Sequence, residues 1–295
     1  MVFLSSSPNA NQVHQQVPRW KESSELRILS WNIYMLPYIS LFNNNDQRAK
    51  ALSEQLNGSD YHIIVFQEAF SSKCRNIMSK ILLASFPFQY GPANDAGFSL
   101  KTNSGLWIVS KIPLTPLGQL KFSKSQGFDV VARKGAVMFE GQFKGAKFQL
   151  LATHLQANES HELRRNQCTE IRDHLLNPHY QKDTPQLICG DFNIDMFDSM
   201  HYLEMLRILD ASNGKLNGEM LVTYDEINNK LAYKPNGKRR ILDYALVRNE
   251  SVFSTIERKV QTFLSGIGDA ESHLSDHYAM EFSVNFAEIK EFSTL

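Results

Sequence analysis

Apolar residues along this chain gather in short runs that stop at polar side chains. One such run is Gln186-Leu187-Ile188-Cys189-Gly190-Asp191-Phe192-Asn193-Ile194-Asp195. An apolar run that breaks at Gly190 predicts a buried strand ending in a turn, with Asp191 and Asn193 at its mouth. Two readings of this stretch stay open: an Asx turn bonding its own backbone, or a strand end that does chemistry. The pattern recurs. Leu26 to Trp31 alternates like a strand and runs into Asn32, with Pro37 beyond it, and His62 to Gln67 reads as a buried strand closing on Glu68. Strands are also expected over Gly105–Lys111, Val137–Phe143, Lys147–Leu155, Leu242–Arg248 and Tyr278–Val284.

The helical period appears between these runs. Ala49, Leu52 and Leu56 share one face of a helix that Asp46 can cap. Cys74, Ile77, Met78, Ile81 and Leu82 keep helical spacing up to Phe86-Pro87. Further helices are expected over Glu162–Leu176 and Ser199–Leu209, the second capped by Asp198. Residues 1–24, rich in Ser, Asn, Gln and Pro, read as a disordered leader. The remainder shows no internal repeat or linker, and a length of 295 residues leaves one or two domains open.

Composition narrows the function. Lys+Arg and Asp+Glu balance at 31 each, which removes the global attraction that non-specific nucleic-acid binders rely on, so nucleic acid is a disfavoured partner. Cys74, Cys168 and Cys189 are an odd number in apolar surroundings and imply no disulfide framework. No window approaches the ~20 apolar residues of a membrane span, so membrane contact is expected to be peripheral. The first residues carry neither a basic region nor an apolar run longer than Val2-Phe3-Leu4, so classical export is not expected. A soluble chain leaving by a signal-independent route, or staying in the cytoplasm, both remain open. Lys234-Pro235-Asn236-Gly237-Lys238-Arg239-Arg240 is a basic cluster around a turn: a solvated hairpin tip, or a contact for anionic head groups.

The strand ends carry Asn32, Glu68, His154, Asp191 with Asn193, Asp243, and Asp276 with His277. Carboxylates and amides are the donors of a hard-metal hydrolytic site, and histidines suit proton transfer near neutral pH. In order, Trp31-Asn32, Gln67-Glu68, Thr153-His154, Gly190-Asp191-Phe192-Asn193, Leu242-Asp243-Tyr244 and Ser275-Asp276-His277 resemble the motifs of the endonuclease/exonuclease/phosphatase superfamily. The flanks Asn32-Ile33-Tyr34-Met35-Leu36, Gln67-Glu68-Ala69-Phe70, Asp129 to Lys134-Gly135 and above all Thr153-His154-Leu155-Gln156-Ala157 resemble its bacterial-type neutral sphingomyelinase branch.

The resemblance implies an α/β fold, a four-layered, deoxyribonuclease-like sandwich of two packed mixed β-sheets flanked by helices, as one catalytic domain over residues 25–295. It implies Mg²⁺, replaceable by Mn²⁺ or Co²⁺, held by Glu68 and Asn32 with Asp191 and Asp276. It implies that His277 activates water with Asp243 orienting it, and that Asp191, Asn193 and His154 attend the phosphoryl group. The reaction implied is hydrolysis of sphingomyelin at a membrane surface to ceramide and phosphocholine; a nuclease or phosphoinositide phosphatase on the same scaffold is the alternative. Asp129 and Lys134 are either substrate-site residues or an exposed loop pair. Where that branch carries an aromatic-tipped hairpin before Ser-Asp-His, this chain has the shorter Thr262 to Asp269, with Phe263, Leu264 and Ile267 as candidate membrane anchors.

Overall fold

The computed structural model describes residues 25–36, 44–94, 102–157, 160–265 and 272–287. The expected leader, 1–24, and Ile267 lie outside them. In chain order the elements are β1 (Glu25–Asn32), α1 (Asn45–Leu56), β2 (Ile63–Gln67), α2 (Ser72–Leu82), β3 (Phe88–Tyr90), β4 (Trp107–Ser110), β5 (Leu114–Lys121), β6 (Gly135–Phe143), β7 (Ala146–His154) and α3 (His161–Ile171). Then come β8 (Gln186–Asp191), α4 (Ser199–Leu209), β9 (Leu216–Asn217), β10 (Tyr224–Asp225), β11 (Arg239–Arg240), β12 (Asp243–Arg248), β13 (Phe253–Gln261), β14 (Leu264–Ser265), β15 (Ser272–His273) and β16 (Ala279–Phe286).

Two mixed sheets carry the chain, one in the order β3-β4-β2-β1-β16-β13-β9 and the other β12-β8-β7-β6-β5. Alternation along β1 explains the layering, because successive side chains point to opposite faces. Leu26 and Ile28 share an apolar cluster with Met138, Leu150 and Ile188 of the second sheet, while Leu29 and Trp31 pack with Leu52 of α1 and Met78 of α2. Residues of α3 and α4, among them Cys168, Ile171, Met205 and Leu209, cover the second sheet. The expected sandwich of two mixed sheets flanked by helices is therefore the fold observed.

Several details differ from the expectation. Asn44, with φ of 48°, rather than Asp46, stands at the N-cap of α1; Asp46 lies in the first turn and pairs with Lys73. The expected helix to Leu176 ends its α-helical part at Ile171 and winds its last five residues, Arg172–Leu176, as a π-turn. Strands β5 and β13 were not expected, because each exposes many of its residues and so carries a weak apolar alternation; β5 also contains Pro116 and Gly118. The three cysteines are buried free thiols, as expected.

The topology decides where chemistry can occur. Strands β1 and β2 are parallel, as are β7 and β8, so Asn32, Glu68, His154 and Asp191 leave their strands on one edge of the sandwich. The antiparallel partners β12 and β16 begin at that same edge, bringing Asp243 opposite Asp191 and placing His277 just before β16. Gly190 is required by packing there: a Cβ on it would lie 2.0 Å from the Thr153 carbonyl oxygen of β7. Gly190→Ala is expected to lower stability by about 3 kcal/mol in urea denaturation, through overpacking at this edge.

Candidate active site

Register delivers the side chains, and hydrogen bonds then fix them. Asp191 is almost fully buried at the end of β8. Its Oδ1 accepts from the Asn193 backbone N–H (2.9 Å) and its Oδ2 from Asn32 Nδ2 (3.0 Å), so this one carboxylate reaches the end of β1 in the other sheet. The Asx turn left open by the sequence exists, in the bond to Asn193. It coexists with a site: His154 Nε2 is 3.4 Å and His277 Nε2 3.7 Å from Asp191 Oδ2.

His277 is held from three sides. Its Nδ1 lies 2.8 Å from Asp243 Oδ2, its carbonyl accepts from Trp31 Nε1 (3.0 Å), and its ring packs on Tyr224 at a centroid distance of 4.8 Å. A carboxylate can only accept, so the Nδ1 proton faces Asp243 and Nε2 faces the cleft. Burial alone would lower the imidazole pKa, but the carboxylates of Asp243, Asp191 and Asp276 outweigh it and hold His277 well above its ordinary value.

Glu68 follows β2 with φ of 54°, a left-handed conformation uncommon for such a residue. Burial, then the neighbouring charge of Asp276, push its carboxyl up to about 7; burial and Asp243 push Asp191 up to about 6. Burial likewise raises Asp276. Oε2 of Glu68 and Oδ1 of Asp243 are buried without a hydrogen-bond partner among the described residues. Crowded, mutually repelling carboxylates with idle oxygens, beside the amide of Asn32, fit a hard divalent cation.

His154 lies at the end of β7 and meets Lys134, whose Nζ is 3.0 Å from His154 Nε2. Burial, Lys134 and His277 depress the His154 pKa well below normal, so the ring is neutral. An ammonium only donates, so His154 Nε2 accepts from Lys134. Lys134 also binds Asp129 (3.0 Å) and the Leu155 carbonyl (3.0 Å), and its own side chain is buried, so the pair is not an exposed loop contact. Asn193 Nδ2 donates to that same Leu155 carbonyl (3.2 Å).

Three supports carried no signal in the sequence. Arg48 of α1 donates to the carbonyls of Ile33, Tyr34 and Leu274, tying both loops that flank Asn32 and Asp276 to one buried guanidinium. Thr223 Oγ1 accepts from the Asp243 backbone N–H (3.1 Å). Gln156 exchanges two bonds with the backbone of Gln126 (2.9 and 3.0 Å), fastening the turn that carries Asp129; it stands within the Thr153–Ala157 motif, but nothing in that motif points to Gln126 as its partner. Phe263 stacks on Trp31 (4.7 Å) and Leu264 pairs in β14, so this expected membrane segment is half-buried against the core.

The profile of the endonuclease/exonuclease/phosphatase family matches residues 29–277. The chain belongs to this family. Within it, the chain is similar to a sphingomyelinase C of Leptospira interrogans, 30% identical over 291 residues that cover 87% of this chain and 51% of the relative. A sphingomyelinase C of Bacillus cereus is 27% identical over 81% of this chain and 80% of its own length. The chain spans about half the length of the Leptospira relatives it matches. Among solved structures, a beta toxin of Staphylococcus aureus solved as a mutant with bound magnesium ions superposes with a TM-score of 0.76 at 22% identity, over 90% of this chain and 100% of the toxin, a likeness of fold.

The raised carboxyls of this family member set a pH dependence. Glu68 and Asp191 hold protons up to about 7 and about 6, and a cation must displace them. Thermal stabilisation by MgCl₂ is therefore expected to be small at pH 5 and to grow as the pH rises through 6 and 7 to 8. Differential scanning calorimetry with and without Mg²⁺ checks this; equal shifts at both ends would contradict it.

Proposed function

We propose that this chain is a Mg²⁺-dependent phosphodiesterase that hydrolyses sphingomyelin at a membrane surface to ceramide and phosphocholine. The observation that carries the reading is the His277–Asp243 pair, with Nε2 of His277 aimed into a cleft of carboxylates and amides. The sphingomyelinase names of the similar Leptospira and Bacillus proteins support the choice of lipid.

In this reading Glu68, Asn32, Asp191 and Asp276 would hold the cation, which would offset charge on the phosphoryl and leaving oxygens. In its neutral form His277 takes a proton on Nε2 from the water whose oxygen attacks phosphorus, while Asp243 keeps the Nδ1 proton in place and stabilises the imidazolium that forms; a cation at Asp191 and Asp276 would offset two of the charges that raise the His277 pKa and so favour the neutral ring. The bond from phosphorus to the ceramide oxygen breaks, that oxygen takes a proton from solvent water, and the proton held by His277 returns to solvent. The Asn193 amide donates its second N–H to a non-bridging oxygen, and the Lys134 ammonium, whose three N–H groups are taken by Asp129, His154 and the Leu155 carbonyl, offsets charge there through space.

His277→Ala and Asp243→Asn are each expected to lower phosphocholine release from sphingomyelin by roughly 10²–10⁴-fold, and Glu68→Ala to abolish the Mg²⁺-stimulated release. The assay offers sphingomyelin liposomes, plasmid DNA and a phosphoinositide in parallel, with Mg²⁺ or EDTA. Nicking of DNA without lipid hydrolysis would overturn the proposal.

A further inference from the structure

The segment from Leu221 to Arg240 stands apart in charge. It holds five basic residues, Lys230, Lys234, Lys238, Arg239 and Arg240, against two acids, Asp225 and Glu226, in a chain whose formal net charge is zero. Both acids are buried and turned inward. Asp225 accepts from the backbone of Ile227 and Asn228 and from Arg239, and Glu226 from Lys234, Arg240 and the Lys238 backbone. Their charges are therefore spent on folding the loop, while Lys230, Lys234, Lys238 and Arg239 remain exposed.

Large apolar side chains surface among these cations. Leu221, Ile227 and Tyr233 are 50%, 52% and 63% exposed, each more than the half-buried Phe263 and Leu264. Exposed apolar side chains interleaved with Lys and Arg describe a surface for the boundary layer of an anionic bilayer: the cations meet headgroup phosphates, and the apolar groups enter below them. A nucleic-acid partner would account for the cations but not for Leu221 and Ile227.

The base of the same segment is bolted to the catalytic edge. Tyr224 bridges to His277, the Tyr278 backbone N–H donates to the Thr223 carbonyl (2.7 Å), and Asn229 Nδ2 donates to the Ser275 carbonyl (2.8 Å). A surface seated on this loop is thereby set beside the mouth that holds His277 and Asp276.

We infer that the Leu221–Arg240 loop is a docking surface for an anionic phospholipid bilayer, seating the active-site mouth on the membrane. The inference deepens the sphingomyelinase reading and rests on it for the lipid surface, but binding can be read without turnover. The test is co-sedimentation of the full chain, in EDTA, with vesicles of phosphatidylcholine with or without phosphatidylglycerol. Two variants accompany the wild type: Leu221→Ser/Ile227→Ser/Tyr233→Ser, and Lys230→Glu/Lys238→Glu. The wild type is expected to prefer the anionic vesicles. The first variant should lose roughly tenfold or more of its binding, and the second should lose most of the preference for phosphatidylglycerol. Both should keep the melting temperature and the rate on a soluble chromogenic phosphodiester.

Wild-type binding in the lysine variant, or no preference of the wild type for anionic vesicles, would overturn the inference. Should the triple variant fold poorly, the lysine variant decides alone. Anionic-vesicle binding without sphingomyelin hydrolysis would uphold the docking surface and overturn the substrate reading instead.

Discussion

The hydrogen bond from Asn32 Nδ2 to Asp191 Oδ2 joins the two sheets at the edge where the chemistry is set, and much else depends on it. Asp191 is the last residue of β8 and Asn32 the last of β1, so the bond fixes where two independently paired ladders stop relative to each other. His154, His277 and, through Leu155, Asn193 and Lys134 take their positions around that carboxylate. A neutral amide donor is suited to the task, since it satisfies the carboxylate without quenching its charge.

That arrangement costs stability locally. Glu68 holds a left-handed backbone, several carboxylates press on one another, and buried oxygens lack partners among the described residues. Such features persist where the surrounding structure over-determines them. Here the surroundings are the apolar clusters on both faces of β1 and the Arg48 guanidinium, which grips the loops after β1 and before β16 without entering the cleft. A cation drawn to the cleft would relieve the repulsion that the fold otherwise contains.

Much of this was legible in the chain. Each run of apolar residues that stopped at Asn32, Glu68, His154 or Asp191 proved to be a strand ending on one edge, because period-two burial and strand termination are local properties. Asp243 and His277 come instead from strands that enter at that edge, and only antiparallel pairing explains how a strand's start joins other strands' ends. Strands β5 and β13 escaped because their half-exposed residues do not alternate cleanly. Arg48 and Thr223 escaped for a deeper reason: their partners are backbone atoms distant in the chain, which leave no mark in residue type. His154 lies at the strand end that the pattern gave it, yet its protonation depends on burial and then on Lys134, which spacing does not reveal.

The clamp between Gln156 and Gln126 has a consequence of its own. One side-chain amide offers both a donor and an acceptor to the backbone of Gln126, so it imitates the edge of a neighbouring strand. Neither partner ionises. As protons and cations come and go among the carboxylates nearby, the turn bearing Asp129 stays tethered by bonds indifferent to pH and little weakened by salt. The mouth thus has a charge-neutral frame on one side, against which its charged members can rearrange without the wall moving.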